Sequence, residues 1–207
     1  IVDAGIGDSI CYEASSVLNG SVSGGSQPYA NYNWMPAASL GSPNSLSTTV
    51  NSLTTSQWFY LTVTDNAGCT ATDSVFILVN PEIFVDAGAN TLFCFGDNTT
   101  IGGAPTGSGG TGALSYLWTP ATGLSGTTFA NPTVSGITGS VTYEVFVTDL
   151  NDCTDSAIVT IEENPEIILD AGLPDSLCYL DNTVLSSTIA GGAPGFTYNW
   201  TPAGLIA

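Results

Sequence analysis

The sequence predicts an all-β protein built from antiparallel β-sandwiches in tandem. Three observations predict it. The chain repeats itself in steps of 83 and 84 residues. Apolar and polar side chains alternate with a period of two inside each repeat. No stretch sustains a 3.6-residue period with helix caps at its ends.

The repeat shows in landmarks along the whole length. "VDAG" begins at Val2 and again at Val85, and "LDAG" at Leu169. Cysteines follow at Cys11, Cys94 and Cys178, then Trp-x-Pro at Trp34, Trp118 and Trp200. "LTVTDNAGC" ends at Cys69 and "VFVTDLNDC" at Cys153, and "NPEI" begins at Asn80 and Asn164. The expected domains are residues 1–80 and 81–164, with 165–207 as the first half of a third, truncated repeat.

Within "FYLTVTD", Phe59, Leu61 and Val63 share one face, while Tyr60, Thr62 and Thr64 share the other. The second copy sets Tyr143, Val145 and Val147 against Glu144, Phe146 and Thr148. A tight Asn-Ala-Gly or Leu-Asn-Asp turn then leads into another alternating run, "ATDSVFILV" or "TDSAIVTI", so the pair reads as a hairpin. Six or seven such strands per repeat, with turn signals between them, indicate a sandwich.

The cysteines suit this plan. Five of them are two pairs plus Cys178, whose partner is expected beyond the chain end. Pairing within repeats, Cys11 with Cys69 and Cys94 with Cys153, is the favoured arrangement and gives one disulfide per repeat. Two alternatives stay open: free buried thiols, and a bond from Cys11 to Cys153 across the repeat boundary. A domain of this size is marginal on burial alone, and a crosslink closing such a loop adds roughly 4 kcal/mol in the chain-entropy account.

Composition narrows the function. The chain has no Lys, Arg or His and eighteen carboxylates, a formal charge of −18. That excludes phosphate-contact binding of nucleic acid and adhesion to anionic membranes. It also leaves trypsin-like proteases no cleavage site. With 43% hydrophobic residues there is a core to bury, yet runs such as "VFILV" are far too short to span a bilayer. "IVDAG" lacks the basic region of a signal peptide and reads as a mature or internal start.

Catalysis is not expected. Ser–His and Cys–His nucleophilic chemistry needs a His, and Schiff-base or phosphate chemistry needs a Lys or Arg. Asp65 with Asp73, or Asp149 with Asp152 and Asp155, could pair as acids by accident; their ordinary reading is solvated turn and strand-edge residues. Calcium is the credible cofactor, since oxygen ligands are all that this chain offers. Glu162, Glu163, Glu166 and Asp170 gather at one repeat boundary, whereas the earlier boundary offers only Glu82 and Asp86. Trp34, Trp118 and Trp200 are expected in the core. Trp58, Tyr60 and Phe146 fall off the inward phase and are the candidates for an exposed carbohydrate platform.

Taken together, "DAG…LC…YNWTP…GLS…NP…TYEVFVTD…DCT" in tandem resembles the immunoglobulin-like, PKD-related repeats of very large surface proteins in the Bacteroidota. Gliding-motility adhesins and other type IX secretion cargo are the familiar examples. The resemblance implies export, an oxidising compartment and a role as extracellular, cell-surface stalk or adhesin. Its partners would be neighbouring repeats, identical subunits, a surface polysaccharide or another cell-surface protein. The first cysteine lies farther from the Trp than in antibody domains, and the dense Asp and Gly of typical PKD units are missing. Asp-Ser before a small or apolar residue, at Ser9, Ser74, Ser156 and Ser176, resembles the O-glycosylation signal of that phylum. Asn19, Asn98 and Asn199 carry N-glycosylation sequons, which count only in a eukaryotic secretory route. Two competing expectations remain: a self-assembling filament or sheath subunit whose half repeat a neighbour's strands complete, and a glycan-binding accessory region of a secreted enzyme.

Overall fold

The computed structural model describes residues 1–201; the last six residues, Pro202 of the third Trp-x-Pro included, lie outside the described residues. In the first repeat the strands are β1 (Val2–Asp3), β2 (Asp8–Ile10), β3 (Ser16–Asn19), β4 (Ser21–Val22), β5 (Asn31–Met35), β6 (Ser47–Val50), β7 (Gln57–Thr64) and β8 (Thr70–Val79). In the second they are β9 (Ile83–Val85), β10 (Thr91–Phe93), β11 (Asn98–Thr100), β12 (Gly107–Gly109), β13 (Ser115–Thr119), β14 (Thr133–Ser135), β15 (Gly139–Thr148) and β16 (Thr154–Glu163). Two short strands follow, β17 (Ile168–Asp170) and β18 (Thr188–Ala190). There is no helix among the described residues.

Both complete repeats fold by one scheme. A four-stranded sheet runs β2-β8-β7-β5 in the first and β10-β16-β15-β13 in the second. Opposite it stand β3 with β6 in the first, and β11 with β14 in the second. The hairpins read from the alternation are there: β7 pairs antiparallel with β8 from Gln57↔Ile77 to Thr64↔Thr70. One pairing departs from the antiparallel plan. The short strand before each first cysteine runs parallel to the last strand of its repeat, Ile10 opposite Val79 and Phe93 opposite Glu163.

The inward residues of the alternation make the cores. Trp34, Phe59, Leu61, Val63, Val75 and Ile77 are buried in the first, with Trp118, Tyr143, Val145, Val147, Val159 and Ile161 in the second. Each Trp ring satisfies its one donor: Nε1 donates to Ser45 O at 3.1 Å and, in the second repeat, to Phe129 O at 3.0 Å. Where Phe59 becomes Tyr143, the buried hydroxyl needs a partner and donates to Thr122 O at 2.6 Å.

In the third segment β17 pairs antiparallel with β18, as β1 does with β4 and β9 with β12, but no four-stranded sheet stands beside that pair among the described residues. Leu177 and Leu185 stand where Ile10 and Leu18 are buried in the first repeat and Phe93 and Ile101 in the second, and both are 54% exposed. Trp200, expected in a core, is half-buried.

By compactness the chain divides into two units. The first contains Ile1–Val85, Gly107–Ser115 and Val147–Asp155. The second takes the remaining described residues.

Candidate functional site

The hairpin turns are built by an aspartate. Asp65 Oδ1 accepts from the amides of Ala67 and Cys69, both at 2.9 Å, and its Oδ2 accepts from Ser26 N at 3.0 Å. Asp149 repeats this with Asn151 N at 2.9 Å, Cys153 N at 3.0 Å and Thr111 N at 2.8 Å. A side-chain carboxylate two and four residues before the amides it caps closes an Asx-type turn. The residue before each cysteine lies in the left-handed region, Gly68 at φ 81° and Asp152 at φ 60°, which only Gly, Asn and Asp adopt readily. These contacts hold the Asp65 carboxyl below its ordinary value, the Ser26 amide being the largest cause, followed by that of Cys69.

The first cysteines occupy a second recurring turn. Ala14 N donates to Cys11 O at 3.0 Å, Asp97 N to Cys94 O at 3.1 Å, and Asp181 N to Cys178 O at 3.0 Å. The residue two after each cysteine is left-handed: Glu13 (φ 59°), Gly96 (φ 79°) and Leu180 (φ 70°). An aromatic follows every one of these cysteines, namely Tyr12, Phe95 and Tyr179.

The two kinds of turn meet once. Cys11 is bonded to Cys153, with Cα atoms 5.5 Å apart and a sequence separation of 142; both belong to the first compact unit. The favoured pairing of Cys11 with Cys69 is therefore not made, and neither is that of Cys94 with Cys153; the bond formed is the alternative across the repeat boundary. Strand register supplies the reason. Ile10 lies opposite Val79, at the end of β8, while Cys69 immediately precedes its start. Nine steps of about 3.3 Å separate those ends, roughly 30 Å, so a repeat's own two cysteines sit at opposite ends of its sandwich. Cys69, Cys94 and Cys178 are free and exposed.

Asparagine 80 seats the joint. Asn80 is buried, and its amide donates to Ile10 O at 2.8 Å. Its Oδ1 accepts from Asn151 Nδ2 at 2.8 Å, and its Nδ2 points to Cys153 Sγ at 3.6 Å. Tyr12 lies beside it, and its phenol is raised above the ordinary value by Glu82 first, then burial, then Glu13.

Other candidate residues are placed as follows. Trp58 and Tyr60 on β7 are exposed at 50% and 47%, and Trp58 packs at a tilt of 47° against Phe76, with 5.1 Å between ring centroids. Phe146 is exposed as well. Ser9, Ser156 and Ser176 are exposed, and Ser74 is half-buried; Ser156 Oγ donates to Glu144 Oε1 at 2.9 Å. The boundary carboxylates are not brought together: Glu163 is buried and accepts from Gly96 N at 3.2 Å, while Asp170 caps Gly172 N at 2.8 Å. Among the described residues no three His, Cys, Asp or Glu side chains converge as a metal site would require. Asp73 does not face Asp65 as an acid pair; its Oδ2 accepts from Ala4 N at 2.8 Å. No helix of the described residues is long and apolar enough to cross a membrane.

Sequence reasoning missed Asn80 as a joint residue, although its signal was present in the recurring "NPEI". The left-handed residue after each first cysteine left no signal, because Glu, Gly and Leu share no side-chain chemistry.

No model of a known protein family matches the chain. No curated protein matches it. Solved structures do. A PKD domain from the KIAA 1837 protein is 30% identical over 38% of this chain and 83% of its own, with a TM-score of 0.33. An I-band fragment of titin is 12% identical over 91% of this chain and 86% of its own, with a TM-score of 0.40. The insect immune protein hemolin is 13% identical over 75% of this chain and 44% of its own, with a TM-score of 0.43. The sheet order, the parallel first strand and the Trp buried between the sheets make the fold of this chain an immunoglobulin-like and PKD-like all-β sandwich.

Proposed function

We propose that this chain is an extracellular structural and adhesive repeat region, serving as stalk or adhesin in a large exported surface protein of the kind that its motifs resemble. The observation that carries this reading is the Cys11–Cys153 crosslink, which ties the first turn of one repeat to the hairpin of the next. A bond so placed carries tension past residues 12–152 rather than through them. The acid side chains support a non-enzymatic reading, since the best-placed ones are spent on backbone amides. A surface of one charge sign keeps such an array soluble and discourages self-adhesion. Export would give Ser9, Ser156 and Ser176 access to O-glycosylation.

Single-molecule extension tests the mechanical reading. Pulled by its ends without reductant, the chain should hide residues 12–152, which the bond encloses. Reduction should release roughly 480 Å of extra contour at about 3.4 Å per residue. Extension through the full contour without reductant, at the force that unfolds the reduced chain, would show that the crosslink bears no load.

A second reading is a filament or sheath subunit, in which strands of a neighbour would cover Leu177 and Leu185, exposed where their counterparts are buried. The mass of native material before and after reduction separates the two. One long polypeptide supports the stalk, and a short one in large particles supports the filament.

A further inference from the structure

We propose that the outward face of the four-stranded sheet in the first repeat binds an uncharged β-linked glucan, whose sugar rings lie on Trp58, Tyr60 and Phe76.

Strand register assembles the face. Phe59, Leu61, Val75 and Ile77 are buried in the core, so the residues between them on β7 and β8 point outward. Met35 lies opposite Tyr60 across the β5–β7 pair, and Trp58 opposite Phe76 across the β7–β8 pair. Leu78 continues β8 on the same side, opposite Ser9 of β2. These five side chains form one apolar band, of which Met35, Trp58, Tyr60 and Leu78 are close to half exposed. Polar groups border it. Ser74 lies opposite Tyr60, and the next row is Asn33, Thr62 and Thr72, whose two threonines hydrogen-bond to each other at 2.9 Å.

The fold does not require this band. The second repeat builds the same sheet with Thr119, Thr142, Glu144, Thr160 and Glu162 at the five places. A contiguous exposed apolar patch with a polar rim marks a binding surface.

Charge selects the occupant. The four strands hold two carboxylates, Asp8 and Asp73, and these lie opposite the buried Ile77 and Leu61, on the inward phase. The outward face is therefore neutral, in a chain of charge −18. An acidic polysaccharide would meet no cation there and repulsion from the rest of the surface. A protein partner of standard size engages about 20–30 residues a side, far more than this band. A β-linked glucose chain fits better. Its ring substituents are equatorial, so its C–H faces lie flat on aromatic rings while its edge hydroxyls reach the Ser, Thr and Asn border. Trp and Tyr suit that role, offering a large apolar body with a polar tip. Phe146 has no such seat: it stands at the place of Thr62, two residues from Glu144 on the same face.

This inference goes beyond the mechanical reading above, whose extension test does not involve this face. The full chain is titrated with cellohexaose, followed by calorimetry and tryptophan fluorescence. Saturable binding with a fluorescence change is expected, and polygalacturonate should not bind. The double variant Trp58→Thr with Tyr60→Glu takes residues that the second repeat already carries at those places. It should keep its circular dichroism and bind about tenfold more weakly or less. Trp58→Phe should retain most of the affinity, and Phe146→Ala should bind as the parent chain does. No saturable binding of cellohexaose, equal binding by the double variant, or equal binding of polygalacturonate would each overturn the proposal. So would a parent chain that dimerises while the double variant stays monomeric and cellohexaose has no effect, since the face would then belong to a second copy.

Discussion

The turns Asp65–Cys69 and Asp149–Cys153 have the same backbone, the same capping carboxylate and the same left-handed fourth residue, yet different fates. One ends in an exposed thiol and the other in a buried disulfide. Asp149 is buried along with its cysteine, whereas Asp65 is half-exposed. Identical local structure thus yields different energetics once a neighbouring surface covers one copy. The lesson is that the turn is a prefabricated part, and what it is worth depends on what it meets.

The largest effect should come from the crosslink. In the chain-entropy account a closed loop of 142 residues stabilises by up to about 5 kcal/mol. The double variant Cys11→Ser with Cys153→Ser should lose that much in denaturant midpoint analysis, while Cys69→Ser should change stability by less than about 0.5 kcal/mol. Equal losses from the two would erase the distinction between the turns.

The capping aspartates come next. Asp149→Ala strands three backbone amides at a buried site, where a hydrogen bond to a charged group contributes about 1.5–3 kcal/mol. A loss of roughly 3 kcal/mol is expected, against a clearly smaller loss for Asp65→Ala, whose amides can turn to water. Chemical denaturation of both variants checks the ratio.

Acid sharpens the same comparison. The Asp65 carboxyl has a lowered pKa in the folded chain. Its contribution is therefore fully present above the unfolded carboxylate value, near 3.9, and is lost as pH falls through the lower folded value. Asp65→Asn should flatten the decline of stability below about pH 4. A decline identical to that of the parent chain would mean that the turn does not depend on the charge.

The smallest effect concerns the outer sheet faces. Trp58, Tyr60 and Phe76 in the first repeat stand where Thr142, Glu144 and Thr160 stand in the second; there the two threonines hydrogen-bond to each other at 2.9 Å. Trp58→Thr should change stability by less than about 1 kcal/mol. If that face is a carbohydrate platform, the variant should also lose the tryptophan fluorescence change that a bound oligosaccharide causes. An unchanged response to saccharide in the variant would remove the face from consideration.

Much of this was legible in the sequence because the relevant physics is short-ranged. The inward phase of Phe59, Leu61 and Val63 follows from the strand's two-residue period, and all three are buried. The exposure of Trp58 and Tyr60 follows from the same period. The turn position was readable from Asp, Asn and Gly chemistry. The parallel placement of β2 and β10 was not readable, because a three-residue strand has too few side chains to declare its partner. Nor was the seat at Asn80, whose role depends on Asn151, 71 residues away.

By itself the sequence determined the repeat, the face that each strand buries, the hairpin turn that carries each second cysteine, and an uncompensated negative charge. Only the tertiary structure decided which sulfurs meet. Alternation and turn chemistry act over a handful of residues, so they are written locally. Sulfur pairing depends on which end of a strand roughly 30 Å long each cysteine occupies, and that is set by a parallel register between residues near the two ends of a repeat.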